Sequence, residues 1–177
     1  CGTDGPSGIR MDSGMLATSM PNGICLACTF NRELVKELYE YEGVEMTAYK
    51  IDVLLGPGIN IHRNPLCGRN FEYYSEDPYL TGKTASAVVR GIQKEGVASC
   101  VKHFACNNQE RYRYINDSRL SERALREIYL KGFEIAVKEG NPLAVMTSYN
   151  KINGVYSYHN YDLVTTILRR EWGYENV

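Results

Sequence analysis

The sequence lacks any long hydrophobic run and any excess of charge. No stretch of about 18 consecutive apolar residues occurs, so a membrane-spanning helix is not predicted. The 177 residues include 20 Lys and Arg against 21 Asp and Glu, which gives a net charge of -1. This balance excludes the basic surface with which proteins bind nucleic acids or anionic membranes. We therefore expect no nucleic acid and no membrane among its partners, and a neutral molecule as its ligand.

Several signatures of catalysis and cofactor binding are also missing. The sequence has no G-x-S-x-G motif for a nucleophilic serine, and its three His have no short metal-binding spacing. Cys25 and Cys28 form a C-x-x-C motif, but the second pair needed for zinc is absent. Gly56-Pro57-Gly58 resembles a phosphate-binding turn, yet Pro57 has no backbone N–H and no helix follows directly. Neither a metal nor a cofactor is predicted.

The six Cys show none of the spacing that is typical of a disulfide framework. They lie at positions 1, 25, 28, 67, 100 and 106. In a chain of this size, such cysteines are typical of free thiols in a reducing compartment. This favours a cytoplasmic location.

Four short apolar segments have the length and composition of strands. They begin near residues 24, 51, 97 and 143, and each is followed by a helix, while residues 1–20 are expected to form a loop. Amphipathic helices are predicted over 32–48, 78–94 and 121–139, with a last one from Asn160 or Asp162 to Gly173. This repeat predicts a parallel sheet with right-handed crossovers.

The fold class is predicted to be α/β, a partial (β/α)8 TIM-type barrel with parallel strands. A barrel fits better than an open doubly wound sheet, because polar clusters follow every strand rather than one switch point. A complete barrel needs about 250 residues, so residues 1–177 are expected to form part of one N-terminal barrel domain, truncated at both ends. The sequence starts at Cys1 and stops at Val177 without a polar tail, as expected of a fragment of a longer chain. An unclosed barrel exposes a strand edge, so we expect the isolated chain to aggregate.

Polar side chains that could converge follow the predicted strands. The apolar run from Val97 ends at Lys102 and His103, which places both at the carboxyl end of a strand, where α/β proteins keep their chemistry. The other candidates in such loops are Asp4, Arg10, Arg69, Tyr149 and Asn150. Donors around one fixed carboxylate suit a ligand rich in hydroxyl groups, since each hydroxyl both donates and accepts.

Glycoside hydrolysis would also require two carboxyl groups about 5–10 Å apart. The candidates are Asp4, Glu72, Glu76, Asp77 and Glu110, and the sequence pattern alone assigns neither nucleophile nor acid. Glu76 and Asp77 precede Pro78 and are predicted to be an acidic pair at a helix N-terminus. Glu72 is predicted to pair with a nearby Arg.

Three long motifs carry a family resemblance: LLGPGINIHRNPLCGRNFEYYSEDP, KHFACNNQE and VMTSYNKINGV. Together they resemble the N-terminal barrel domain of family 3 glycoside hydrolases, the β-glucosidase and β-xylosidase group, from Asp4 to Val177. The resemblance implies a retaining β-glycosidase that hydrolyses terminal, non-reducing β-D-glucosyl or related residues. KHFACNNQE is similar to the glucosidase side of the family and differs from the K-H-F-P-G-H-G of its N-acetylglucosaminidases.

The same resemblance implies which residues contact the carbohydrate substrate. The hydroxyl ligands would be Asp4, Arg10, Arg69, Lys102 and His103. The residues that support the site around the nucleophile would be Arg113, Met146 and Tyr149.

The resemblance also implies that neither catalytic carboxyl group lies in this chain. The family's nucleophilic Asp is expected beyond Val177, and its general acid in a following α/β sandwich domain, so residues 1–177 alone are expected to be inactive. One alternative is a non-catalytic carbohydrate-binding or scaffold protein on the same fold. Another is an unrelated barrel enzyme that acts on a phosphorylated or carboxylated substrate.

Overall fold

The computed structural model describes residues 1–176. Four parallel strands form the main sheet in the order β1-β2-β3-β5, and β4, β6 and β7 form a small second sheet. The strands are β1 (Gly2–Asp4), β2 (Val53–Leu55), β3 (Ala98–Phe104), β4 (Asp117–Ser118), β5 (Ala144–Thr147), β6 (Lys151–Ile152) and β7 (Val155–Tyr156). Helices follow each of the four main strands, which confirms the predicted parallel α/β architecture.

The helices include α-helical, π-helical and 3-10 segments. The α-helices are α1 (Gly23–Cys28), α2 (Arg32–Ala48), α3 (Pro78–Lys94), α4 (Glu122–Ala124) and α5 (Lys131–Ile135). The π-helical segments are Leu125–Tyr129, Ala136–Gly140 and Asp162–Glu171, and the 3-10 turns are Asn70–Glu72 and Ser157–His159.

Side-chain caps fix the starts of α2 and α3, and both helices have the predicted bounds. The Asn31 side chain accepts a hydrogen bond of 3.1 Å from the backbone N–H of Leu34. The Asp77 carboxylate accepts one of 2.7 Å from the N–H of Leu80. Each cap satisfies a donor that the first turn of a helix leaves free. The prediction that Asp77 belongs to a helix N-terminus is therefore confirmed.

The later helices also begin and end where the sequence predicts. The Ser121 hydroxyl accepts a hydrogen bond of 3.2 Å from the N–H of Ala124, and the helical stretch over 122–140 begins there. It ends at Asn141, whose φ of 52° is left-handed, a common way to stop a helix. The last helix follows Asn160, whose side chain accepts a hydrogen bond from Leu163.

The predicted strand at Ile24 is wrong, because residues 23–28 form helix α1. The side chain of Asn22 accepts a hydrogen bond of 2.9 Å from the backbone N–H of Cys25 and so begins the helix. A short apolar run does not distinguish a strand from a helix by its periodicity, and the cap decides between them. Cys25 and Cys28 are exposed on this helix as free thiols.

The first strand instead lies in the segment that the sequence predicts to be a loop. Strand β1 has only three residues, and Gly2 and Asp4 pair in parallel with Val53 and Leu55 of β2. Three residues are too few for an apolar alternation, so only the pairing with β2 reveals the strand. Within residues 1–176, β1 and β5 each have a neighbouring strand on one side only, as expected of a partial barrel.

Helix α1 packs closely against the segment that leads into the candidate site. A methyl group added to Gly23 would lie 2.6 Å from the backbone oxygen of Tyr73. We expect Gly23→Ala to lower the free energy of unfolding by about 1–3 kcal/mol, because the backbone must move to admit the methyl group. Urea denaturation of the whole protein measures this loss of unfolding free energy. The control is Gly132→Ala on α5, where the nearest atom would be 3.4 Å away; an equal loss in both variants would contradict the prediction.

Candidate functional site

A pocket of about 500 Å³ opens at the carboxyl ends of β1, β2 and β3. Charged and polar residues from β1, from β3 and from the loops after β1, β2 and β3 line it: Asp4, Ser7, Arg10, Arg69, Glu72, Lys102 and Glu110. A larger cavity of about 720 Å³ lies between α1, α2 and α3, away from these strand ends. We take the smaller pocket as the candidate site, because ligands of parallel α/β folds bind at the carboxyl ends of the strands.

Lys102 is the cation at the centre of the pocket wall. Its Nζ atom lies 2.7 Å from Oδ1 of Asp4 and 3.4 Å from Oε2 of Glu72. The side chains of Lys102 and Glu72 are 4% and 5% exposed, whereas that of Asp4 is 46% exposed. The Asp4 carboxylate is thus held from the protein side and still open to a ligand.

Two arginines and two glutamates continue this network along the pocket. Nη1 of Arg69 lies 3.5 Å from Oε1 of Glu72, and its Nε lies 3.3 Å from Oε2 of Glu110. The same Glu110 oxygen accepts a hydrogen bond of 2.8 Å from Nη1 of Arg113. Each glutamate therefore lies between two cations, which fixes the orientation of the guanidinium groups.

His103 is buried behind Arg69 and is neutral. Burial, together with the positive charges of Arg69, Lys102 and Arg113, lowers the pKa of its imidazole to about 2. Its Nε2 contacts Nη1 of Arg69, and because a guanidinium only donates, Nε2 must accept. We infer that the ring proton is on Nδ1, which lies 3.4 Å from the hydroxyl oxygen of Tyr73.

The site as a whole is balanced in charge. The cations Lys102, Arg69 and Arg113 face an equal number of carboxylates, those of Asp4, Glu72 and Glu110. Burial raises the pKa of Glu72, while the charges of Lys102 and Arg69 oppose that rise. A balanced set of fixed donors and acceptors does not attract an anion, and it matches a neutral ligand that both donates and accepts.

Arg10 lies at the edge of the pocket rather than inside the network. Its side chain is 65% exposed and its Nε lies 3.1 Å from a carboxylate oxygen of Asp12. Its backbone N–H donates a hydrogen bond of 2.8 Å to the backbone oxygen of Asp4. The backbone of Arg10 thus supports Asp4, and its exposed side chain lies at the edge of the pocket.

Two predicted site residues belong to β5 and the loop after it. Met146 pairs with Lys102 in the register of β3 and β5, and Tyr149 is half exposed. The guanidinium of Arg113 lies 5.0 Å from the ring centre of Tyr149, which itself lies 4.8 Å from the ring of Tyr114. Neither Met146 nor Tyr149 lines the 500 Å³ pocket, and Tyr149 connects to it through Arg113 and Glu110.

The sequence reveals the role of one glutamate in this network and misses that of the other. It predicts that Glu72 pairs with an Arg, which its contact with Arg69 confirms. Glu110 is a candidate only as a catalytic carboxyl group, whereas the structure shows it between Arg69 and Arg113. One feature of the sequence could have indicated these ion pairs: Glu110 and Arg113 are three residues apart, and so are Arg69 and Glu72.

Three further features of the described residues bear on the chemistry. All six cysteines are free, and three of them are buried. No group of three or more His, Cys, Asp or Glu that could hold a metal ion occurs in residues 1–176. In the same part of the chain, no helix combines the length and hydrophobicity needed to cross a membrane.

Comparison with known sequences agrees with this architecture. The family described as glycosyl hydrolase family 3 N terminal domain matches residues 1–177. The chain belongs to this family. A β-glucosidase from Ruminococcus albus is 57% identical over 175 residues, which cover 99% of this chain and 18% of that protein.

Solved structures of β-glucosidases share the fold. The structure of one from Paenibacillus barengoltzii aligns with a TM-score of 0.96 at 64% identity, over 98% of this chain and 19% of that one. β-Glucosidase 3B from Thermotoga neapolitana, in complex with glucose, aligns with a TM-score of 0.96 at 53% identity, over 98% and 25%. The chain therefore spans a quarter or less of the length of these relatives, and its fold is that of their family 3 barrel.

Proposed function

We propose that this chain is the sugar-binding part of a retaining β-glycosidase that hydrolyses terminal, non-reducing β-D-glucosyl or related residues. The observation that carries the proposal is the Asp4 carboxylate, held by buried Lys102 at 2.7 Å and open to the pocket. The likeness to β-glucosidases, one of them in complex with glucose, supports a sugar as the ligand.

In this proposal, each group at the pocket serves a sugar hydroxyl according to its hydrogen-bonding capacity. Ionised Asp4 accepts hydrogen bonds from hydroxyl groups, whereas Lys102 and Arg69 donate to hydroxyl oxygens. Neutral His103 orients Arg69 through Nε2 and adds no positive charge beside the reacting carbon. This matters because positive charge develops at the anomeric carbon in glycoside hydrolysis.

The carboxylates of the described site are assigned to binding and not to nucleophilic attack. Glu72 and Glu110 each lie between two cations, and Asp4 pairs with Lys102. Such pairing lowers the nucleophilicity of a carboxylate and fixes its position. We therefore propose that the nucleophile and the general acid are supplied from outside residues 1–176, and that residues 1–177 alone bind sugar weakly and hydrolyse nothing.

The test is an assay of the protein produced from its complete gene. We expect it to hydrolyse an aryl β-D-glucoside or β-D-xyloside with retention of anomeric configuration. Proton NMR of the first-formed product measures that configuration. The 177-residue chain assayed beside it should be inactive. Glucose binding without hydrolysis by the whole protein would instead favour a non-catalytic carbohydrate-binding protein, and inversion would contradict the proposed mechanism.

A further inference from the structure

A buried carboxyl group lies directly beneath the turn that carries Asp4. Glu42 on α2 is 0% exposed, and neither of its carboxyl oxygens has a hydrogen-bond partner among the described residues. A methyl group added to Gly5 would lie 3.1 Å from Oε1 of Glu42 and 2.9 Å from the side chain of Leu54. The Glu42 carboxyl group therefore packs against the residue that follows Asp4.

The turn over residues 4–10 is closed on itself and attached to α2. The backbone N–H of Gly8 donates to the oxygen of Gly5 at 3.1 Å, and that of Arg10 donates to the oxygen of Asp4 at 2.8 Å. The buried Tyr39 hydroxyl, one helical turn before Glu42, donates to the backbone oxygen of Pro6 at 2.6 Å. Movement of α2 against the turn would therefore move Asp4.

Among residues 1–176, no positively charged group forms an ion pair with Glu42 or lowers its pKa. The titratable groups that act on it or respond to it are Tyr39 and Glu45 on its own helix and Tyr74 from the opposite segment. Burial, and then the negative charge of Glu45, raise the pKa of Glu42 to about 8. Glu42 therefore keeps its proton to a higher pH than an exposed glutamate does.

We propose that Glu42 is a positioning residue whose carboxyl group packs beneath the turn over residues 4–10 and thereby keeps the Asp4 carboxylate in place for the sugar. This inference rests on the proposed function. Loss of the Glu42 proton would place an unpaired charge beneath Gly5, at a cost that is relieved only if water enters between the helix and the turn. Sugar affinity should then fall as the pH rises through the pKa of Glu42.

The experiment is calorimetric titration of the whole protein with D-glucose from about pH 6 to pH 9.5, a range that spans the transition of Glu42. We expect the parent Kd to be constant near pH 6 and to rise about tenfold by pH 9.5, since one ionisation changes affinity by at most tenfold per pH unit above its pKa. Glu42→Gln, which keeps the size and neutrality of the protonated carboxyl group, should bind glucose like the parent at pH 6 and lose most of the rise, whereas Glu42→Ala, which removes the contact with Gly5, should bind glucose more weakly already at pH 6. Glu37→Gln, exposed on the same helix, is the matched control and should retain the rise.

Each outcome separates the two proposals. If the parent does not bind glucose at pH 6, the proposed function fails and this inference fails with it. If the parent binds glucose but its Kd rises equally in the Glu42 variants, or does not rise at all, only the inference is overturned. A Glu42→Gln variant that loses glucose binding at pH 6 while remaining folded also overturns it, because the neutral amide should still hold the turn.

The unfolding midpoint gives a second readout. The pKa of Glu42 is raised from 4.5 to about 8 on folding, so the unfolded chain loses this proton first. The stability that this group contributes therefore declines as the pH rises from about 4.5 and levels off above about 8. As the pH rises across this window, the thermal midpoint of Glu42→Gln should increase relative to that of the parent. A difference between the two midpoints that does not change with pH would contradict a protonated Glu42 in the folded protein.

Discussion

Lys102→Met should lower kcat/KM of the whole protein toward aryl β-glucosides by about 10³-fold or more. The change removes a proposed donor to the sugar and leaves the buried Glu72 carboxylate without its nearer cation. Breaking a buried ion pair in this way costs about 3–5 kcal/mol. The variant should therefore also unfold at a lower temperature, and activity must be measured where it is still folded.

Two further variants separate charge from shape at this position. Lys102→Arg keeps the positive charge, and this variant should fold. The Lys102 side chain is only 4% exposed, however, so the larger, branched guanidinium should be displaced from the position of Nζ, and activity should still fall by about tenfold or more. Lys94→Met, which removes an exposed lysine paired with Glu40, is the control and should leave kcat/KM within about twofold, since exposed pairs contribute little. Full activity of Lys102→Met would exclude Lys102 from the sugar site.

Asp4→Asn should be the second most damaging substitution. The amide has the same shape as the carboxylate, but it loses the negative charge that strengthens the hydrogen bonds from sugar hydroxyls. Hydrogen bonds to charged groups contribute about 1.5–3 kcal/mol each, so the loss of one predicts a fall of about 10- to 10²-fold in kcat/KM. The measurement is the steady-state rate on an aryl β-glucoside.

The matched control for Asp4 lies eight residues further along the chain. Asp12 is 82% exposed and pairs with Arg10 at the edge of the pocket. Asp12→Asn should therefore change kcat/KM by less than about fivefold, because an exposed ion pair contributes about 1 kcal/mol at most. Equal losses in Asp4→Asn and Asp12→Asn would indicate a general effect of surface charge and contradict a specific role of Asp4.

Local chemistry explains the parts of the fold that the sequence predicts. Asn31, Asp77 and Ser121 each cap a helix, and the apolar periodicity that follows defines α2, α3 and the stretch over 122–140. Strand β1 escapes prediction because its three residues have no pattern of their own and depend on pairing with β2. The apolar run at Ile24 has the composition of a strand, but the Asn22 cap begins a helix.

The candidate site shows the same division between local and long-range information. Lys102 and His103 are predictable because an apolar run ends at them, at the carboxyl end of β3. The contact between Lys102 and Asp4 joins residues 98 positions apart and follows from the order of the strands. The role of Glu110 between Arg69 and Arg113 depends on how two loops meet, and the buried position of Glu42 depends on the packing of α2 against the first turn.

A crystal structure of the whole protein soaked with glucose tests the proposed sugar site most directly. We predict a glucose molecule in the 500 Å³ pocket, with hydroxyl groups within hydrogen-bond distance of the Asp4 carboxylate and Nζ of Lys102. Glucose bound only elsewhere, for example in the 720 Å³ cavity between α1, α2 and α3, would contradict the assignment of the site.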